Sequence, residues 1–72
     1  MENLKEKVGL RLKESRKAVK KTQAEVAKQL NMTQQQYSRF ENGIFELSYE
    51  NLVFLCQIYD VSSDYILGLK EF

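Results

Sequence analysis

Histidine is absent from this 72-residue chain, proline is absent too, and Cys56 is the only cysteine. A single thiol cannot form an intramolecular disulfide. With no histidine there is no cluster of ligands for a zinc site, so no metal or other cofactor is expected. One thiol suits a reducing cytosol. No apolar run approaches the length of a membrane helix, and Met1-Glu2-Asn3-Leu4-Lys5 lacks the apolar core of a secretory signal. The expectation is a soluble, cytoplasmic protein with no membrane contact. The same absences argue against an enzyme: there is no candidate catalytic dyad and no glycine-rich phosphate loop. Without repeats, low-complexity tracts or linkers, residues 1–72 read as one domain, near the small end of what a single core holds together.

Charge of one sign is scarce only locally. The net charge is +1, but up to Gly43 there are ten basic against five acidic residues, a balance of +5. After Gly43, Lys70 is the only base against Glu46, Glu50, Asp60, Asp64 and Glu71, a balance of −4. A basic first part attracts a polyanion and an acidic second part is pushed away from it.

The apolar residues that are present recur at helical spacing, and no stretch alternates with period two for long enough to make a strand. Leu4, Val8, Leu12 and Val19 fall near one stripe, which predicts a first helix over 4–19, modestly weakened by Gly9. Arg16 lies on the edge of that stripe, an unusual place for a charge. Thr22-Gln23-Ala24-Glu25 reads as a capping box opening a second helix over 23–30, with Val26, Ala27 and Leu30 inward. Asn31 suits the left-handed residue that ends it. A second box, Thr33-Gln34-Gln35-Gln36, opens a third helix whose Tyr37 and Phe40 face inward and whose end is Gly43. Ser48 caps a fourth helix with Leu52, Leu55, Cys56 and Tyr59 on its apolar face. Ser62 caps a short fifth, with Tyr65, Ile66 and Leu67, ended by Gly68. The predicted class is all-α, a compact bundle of five short helices.

Two capped helices joined across Asn31-Met32 give a helix-turn-helix over 22–43. Advancing about 100° per residue with Tyr37 at the centre of the buried face puts Gln35, Arg39 and Asn42 opposite it. Ser38 lies beside them and Gln34 at the helix start. That face holds amides, a hydroxyl and a guanidinium, and neither a carboxylate nor a large apolar group. Gln pairs with adenine and Arg with guanine through two atoms each in the major groove. Gln36 is explained by its capping role, Tyr37 and Phe40 by the core, and Cys56 as an inert core thiol.

Thr22-Gln23-Ala24-Glu25-Val26-Ala27, Leu30-Asn31-Met32-Thr33-Gln34 and Tyr37-Ser38-Arg39-Phe40-Glu41-Asn42-Gly43 together resemble the helix-turn-helix of the Cro and phage-repressor (XRE) family. The likeness extends over about 8–68, through Leu52 and Leu55 to Ile66-Leu67-Gly68. It implies a lambda-repressor-like DNA-binding domain in a prokaryotic or phage setting. Gln34, Gln35, Ser38 and Arg39 would contact bases. Gln23, Asn42, Lys20 and Lys21 would contact phosphate, Gln23 also through its backbone amide at the helix start. Arg16 and Glu41 match a structural ion pair tying the first helix to the third. The chain departs from the pattern at Ile44-Phe45-Glu46-Leu47, where basic residues and proline are common, and at Ser15, which replaces an apolar residue.

The function so implied is sequence-specific binding of double-stranded DNA by a transcription regulator, a repressor that reads the major groove with helix 33–42. Members of the family usually bind two-fold operators as dimers, so a homodimer is expected. Its contact surface would be Ile66, Leu67, Leu69 and Phe72. With no room for a separate effector domain, no small-molecule ligand is expected. The alternative is a protein-interaction module of antitoxin or adaptor type, because the fold alone does not fix function.

Overall fold

The computed structural model describes residues 3–71. Among them all regular structure is helical: α1 (Leu4–Ala18), α2 (Gln23–Gln29), α3 (Gln34–Glu41), α4 (Tyr49–Tyr59) and α5 (Ser63–Ile66). Every helix starts on a side chain that accepts from a backbone amide of the first turn, supplied in order by Asn3, Thr22, Thr33, Ser48 and Ser62. Both capping boxes close reciprocally. Glu25 accepts from the Thr22 amide at 2.9 Å, and Gln36 accepts from the Thr33 amide at 2.9 Å.

The helix ends are as uniform as the starts. Lys20, Asn31, Gly43, Asp60 and Gly68 all have positive φ, one after each helix. At the turn between α2 and α3, the Met32 amide donates to the Ala27 carbonyl at 3.0 Å and the Asn31 amide to that of Lys28 at 3.1 Å. This double closure satisfies carbonyls the helix leaves open and turns the chain toward α3.

The core consists of Leu12, Val26, Ala27, Tyr37, Phe40, Leu55, Tyr59 and Ile66. Helix α3 lies at its centre, packed on α1 and α2, while α4 and α5 close the far side. Gly9 allows the close approach of α1 to α3. A Cβ there would fall 2.6 Å from the Phe40 carbonyl oxygen and nearer still to that of Glu41. The residue that weakens the helix locally is therefore required by the packing.

Two expectations are corrected. Helix α1 ends at Ala18, and Val19, its C-cap, is exposed, as is Leu4. The buried residues of α1 are confined to its middle, at Gly9, Leu12 and Ser15, with Val8 half-buried. Ile66 is fully buried in the core and cannot line a contact surface. Ile66 is the one buried residue of α5 and closes the bundle. Ser15, which stands where the family pattern has an apolar residue, is buried, and its hydroxyl has no hydrogen-bond partner among the described residues.

Candidate nucleic-acid interface

Capping of α3 at Thr33 and burial of Tyr37 and Phe40 fix which face of the helix points outward. Gln34, Gln35, Arg39 and Asn42 are exposed and Ser38 is half-buried. With Gln23 and Ile44 they line one shallow concavity. The start of α2 and the outward face of α3 thus form a continuous surface rather than two separate ones. Asn42 Nδ2 lies 3.3 Å from Ser38 Oγ, one turn back along that face. Gln36 points its side-chain oxygen back at the Thr33 amide.

The carboxylate that belongs to α3 is withheld from this surface. The Glu41 side chain is only 1% exposed. Arg16 Nε reaches its Oε2 at 2.7 Å, while Arg16 Nη2 and Gln23 Nε2 reach its Oε1 at 3.1 and 3.0 Å. Burial alone would raise the Glu41 pKa. Hydrogen bonds from Arg16, Tyr37 and Gln23 outweigh it and hold the carboxyl below its usual range. Arg16 also donates from Nη1 to the Lys21 carbonyl at 2.9 Å, which fixes the loop that carries Lys20 and Lys21. Next to this ion pair the hydroxyls of Tyr37 and Tyr59 hydrogen-bond each other in the core. Burial pushes the Tyr37 pKa far up and that of Tyr59 to about 12, so both stay neutral.

The structure places the sequence-derived residues as follows. Gln34, Gln35, Ser38, Arg39, Asn42 and Gln23 share the concavity, although Gln23 spends one of its two amide hydrogens on Glu41. Lys20 is exposed and Lys21 half-buried, on the loop leading into α2. Leu69 is exposed and Leu67 half-buried, and Phe72 lies outside the described residues. Burial pushes the Cys56 thiol pKa up, which disfavours the reactive thiolate.

One residue of this surface has no role in the sequence reading. Lys28 lines a neighbouring concavity with Asn31, Thr33 and Gln34, beside the start of α3. Its position one turn beyond Ala24, opposite Val26, was the available signal. Phe45 packs edge-on against Phe40, and the Arg39 guanidinium carbon sits 5.4 Å above its ring. Packing of Phe45 on the core is one of the roles its apolar side chain allows in this loop; its place under Arg39 is set by the turn after α3. Glu46 lines a separate apolar groove with Leu4, Lys5, Leu47 and Tyr49, outside the polar concavity.

Comparison with known proteins agrees with this geometry. A helix-turn-helix family model matches residues 12–66. The chain is 38% identical over 64 residues to the HTH-type transcriptional regulator ImmR of Bacillus subtilis (strain 168), covering 89% of this chain and 50% of that protein. It is 38% identical over 61 residues to the uncharacterized HTH-type transcriptional regulator YobD of the same organism, covering 85% of this chain and 54% of that protein. Against the uncharacterized HTH-type transcriptional regulator YqaE, also from that organism, the identity is 41% over 56 residues, covering 78% and 48%. The chain spans about half the length of the curated relatives it matches.

Proposed function

This chain belongs to the helix-turn-helix family, and on that premise we propose that it is the DNA-reading part of a transcription regulator, with α3 seated in the major groove of double-stranded DNA. One observation carries the proposal. The polar residues of α3 and the start of α2 share one concavity, from which the only carboxylate of α3 is removed by burial against Arg16. A duplex presents acceptors and donors at base edges and negative charge along both rims. Gln34, Gln35, Ser38 and Arg39 supply the base contacts. Gln35 suits the N6 and N7 of adenine, and Arg39 the O6 and N7 of guanine. Gln23, Asn42, Lys20 and Lys21 hold phosphate, which sets register without reading sequence.

The regulator acts as a repressor that occludes a promoter, in the cytoplasm, as a homodimer on a two-fold operator. The protein is 30 Å in its longest extent, and half-sites of such operators lie ~34–36 Å apart. A body no longer than that separation lets two copies occupy adjacent half-sites without overlap, one on each. Leu67 and Leu69 remain the sequence-derived contact residues. The exposed side chains of Tyr49, Val53 and Phe54 on α4 add apolar area and also favour the second reading, a protein-interaction module.

Titration of 15N-labelled protein with a mixed-sequence duplex at low salt separates the two readings. The expected result is amide shifts concentrated at Gln23, Gln34, Gln35, Ser38, Arg39 and Asn42. Absence of shifts on α3 would contradict the proposal and turn attention to the α4 face. For the dimer, a monomeric mass at high protein concentration is the contradicting result.

A further inference from the structure

We propose that Phe45 is a positioning residue for base readout, its ring being the shelf that holds the Arg39 guanidinium in the arrangement that meets a guanine edge. This rests on the DNA-reading role of α3 and goes beyond it by adding a residue from outside the helix-turn-helix.

The shelf is built from the backbone outward. Just past the end of α3, Gly43 has φ 73°, and the Ile44 amide donates to the Arg39 carbonyl at 2.9 Å. This closure turns the chain back along the last turn of α3 and sets residue 45 beside residue 39. A side chain at Gly43 would require the strained left-handed conformation and would also meet the Glu6 backbone, its Cβ 2.8 Å from the Glu6 Cα. The ring is then braced from the core. Tyr37 is fully buried and meets Phe40 edge-on at 6.4 Å between centroids, and Phe40 meets Phe45 edge-on at 6.5 Å. Three rings thus run from the interior to the surface, and the last, 45% exposed, lies under the Arg39 guanidinium.

The chemistry of the contact suits a reading arginine. An aromatic face attracts a cation within about 6 Å of its centroid. It does so through the ring quadrupole and takes none of the five N–H donors. A carboxylate partner would occupy those donors and neutralise the charge, and among the described residues no acid lies within salt-bridge distance of Arg39. Arg39 is held yet remains able to donate two hydrogen bonds to one base. A long side chain that is already ordered loses less freedom on binding. The apolar loop Ile44-Phe45 thus serves base discrimination.

The test compares wild type with Phe45→Leu, Phe45→Tyr, Arg39→Ala and Phe45→Leu/Arg39→Ala. Each is titrated against four duplexes that differ only at the base pair whose preference Arg39→Ala abolishes. Leucine keeps apolar bulk against Phe40, and tyrosine keeps the ring. Phe45→Leu should lower discrimination at that position by about two- to fivefold, the range expected for an exposed cation–π contact. It should leave other positions unchanged and have no further effect on Arg39→Ala, while Phe45→Tyr should match wild type. Full discrimination in Phe45→Leu overturns the proposal. So does an equal loss on the Arg39→Ala background, which would mean that the ring itself touches DNA. In the free protein, the Arg39 side-chain protons should carry a ring-current shift that Phe45→Leu removes. If wild type prefers no base anywhere, the DNA-reading role fails, and the ring-current shift still reports whether the shelf exists.

Discussion

At the scale of single residues, Glu41 is where the first three helices are tied together. Its carboxylate receives α1 through Arg16 and α2 through Gln23 while belonging to α3 itself. Removing one member of a buried pair leaves the other charge uncompensated, at a cost of ~3–5 kcal/mol. Domains of this length have only about 4–11 kcal/mol of stability, so Arg16→Ala is expected to be folded marginally at best. Urea denaturation at low temperature measures it, and an unshifted midpoint would contradict a structural role. The depressed Glu41 pKa makes stability depend on acid. The unfolded chain takes up this proton first, near its ordinary value of about 4.3. The contribution of Glu41 is therefore complete above that value and lost as pH falls through the lower folded pKa. The thermal midpoint should drop below about pH 4, less steeply in Glu41→Gln. Ser15 works in the other direction. Its buried hydroxyl has no partner among the described residues, and an unsatisfied buried group costs about 1–3 kcal/mol. Ser15→Ala should raise stability by roughly 1 kcal/mol, and a lowered midpoint would show that the hydroxyl has a partner after all.

At the scale of elements, no helix exceeds 15 residues, about the length below which isolated helices are marginal in water. Caps and packing must supply the difference. The caps were legible in the sequence because they are local: Thr22 with Glu25 and Thr33 with Gln36 each declare a helix start within four residues. Gly9 was not legible, because its reason lies some thirty residues away at the carbonyls of Phe40 and Glu41. In an ordinary helix Gly→Ala gains about 1 kcal/mol. Here Gly9→Ala is expected to lower the melting temperature, since the neighbouring atoms are backbone and cannot step aside. Lys20 is a second case. Lysine at φ 60° is strained by about 1 kcal/mol or more relative to glycine. Lys20→Gly should stabilise the fold and, if Lys20 holds phosphate, weaken DNA binding and reduce the salt slope by about one. A gain in stability with unaltered binding would remove Lys20 from the interface. The placing of Arg39 over Phe45 was not legible either, because a contact made beyond the end of a helix leaves no periodic trace.

At the scale of the molecule, the segregation of charge around Gly43 takes on a spatial meaning. The basic part carries the helix-turn-helix, and the acidic part carries α4 and α5. Neutralised phosphates release counterions, so affinity should fall steeply with salt, with a slope of about 0.9 per phosphate contacted. The polar face of α3 was readable in advance because helical geometry alone fixes it once Tyr37 is known to face inward. Which apolar residues the bundle leaves exposed was not. Ile66 belongs to an apolar segment whose sequence gives no sign of which residues the bundle encloses, and the exposed Tyr49, Val53 and Phe54 lie on a helix that reads as core.

Base reading by α3 is tested most directly by selecting binding sites from a random duplex library at near-physiological salt, with wild type and with Arg39→Ala in parallel. The predicted result is a two-fold-related motif for wild type, in which Arg39→Ala relaxes one base pair of each half-site while the flanking preferences persist. Enrichment of no motif by wild type, with residual binding that vanishes as salt rises, would contradict it and leave only nonspecific attraction to phosphate.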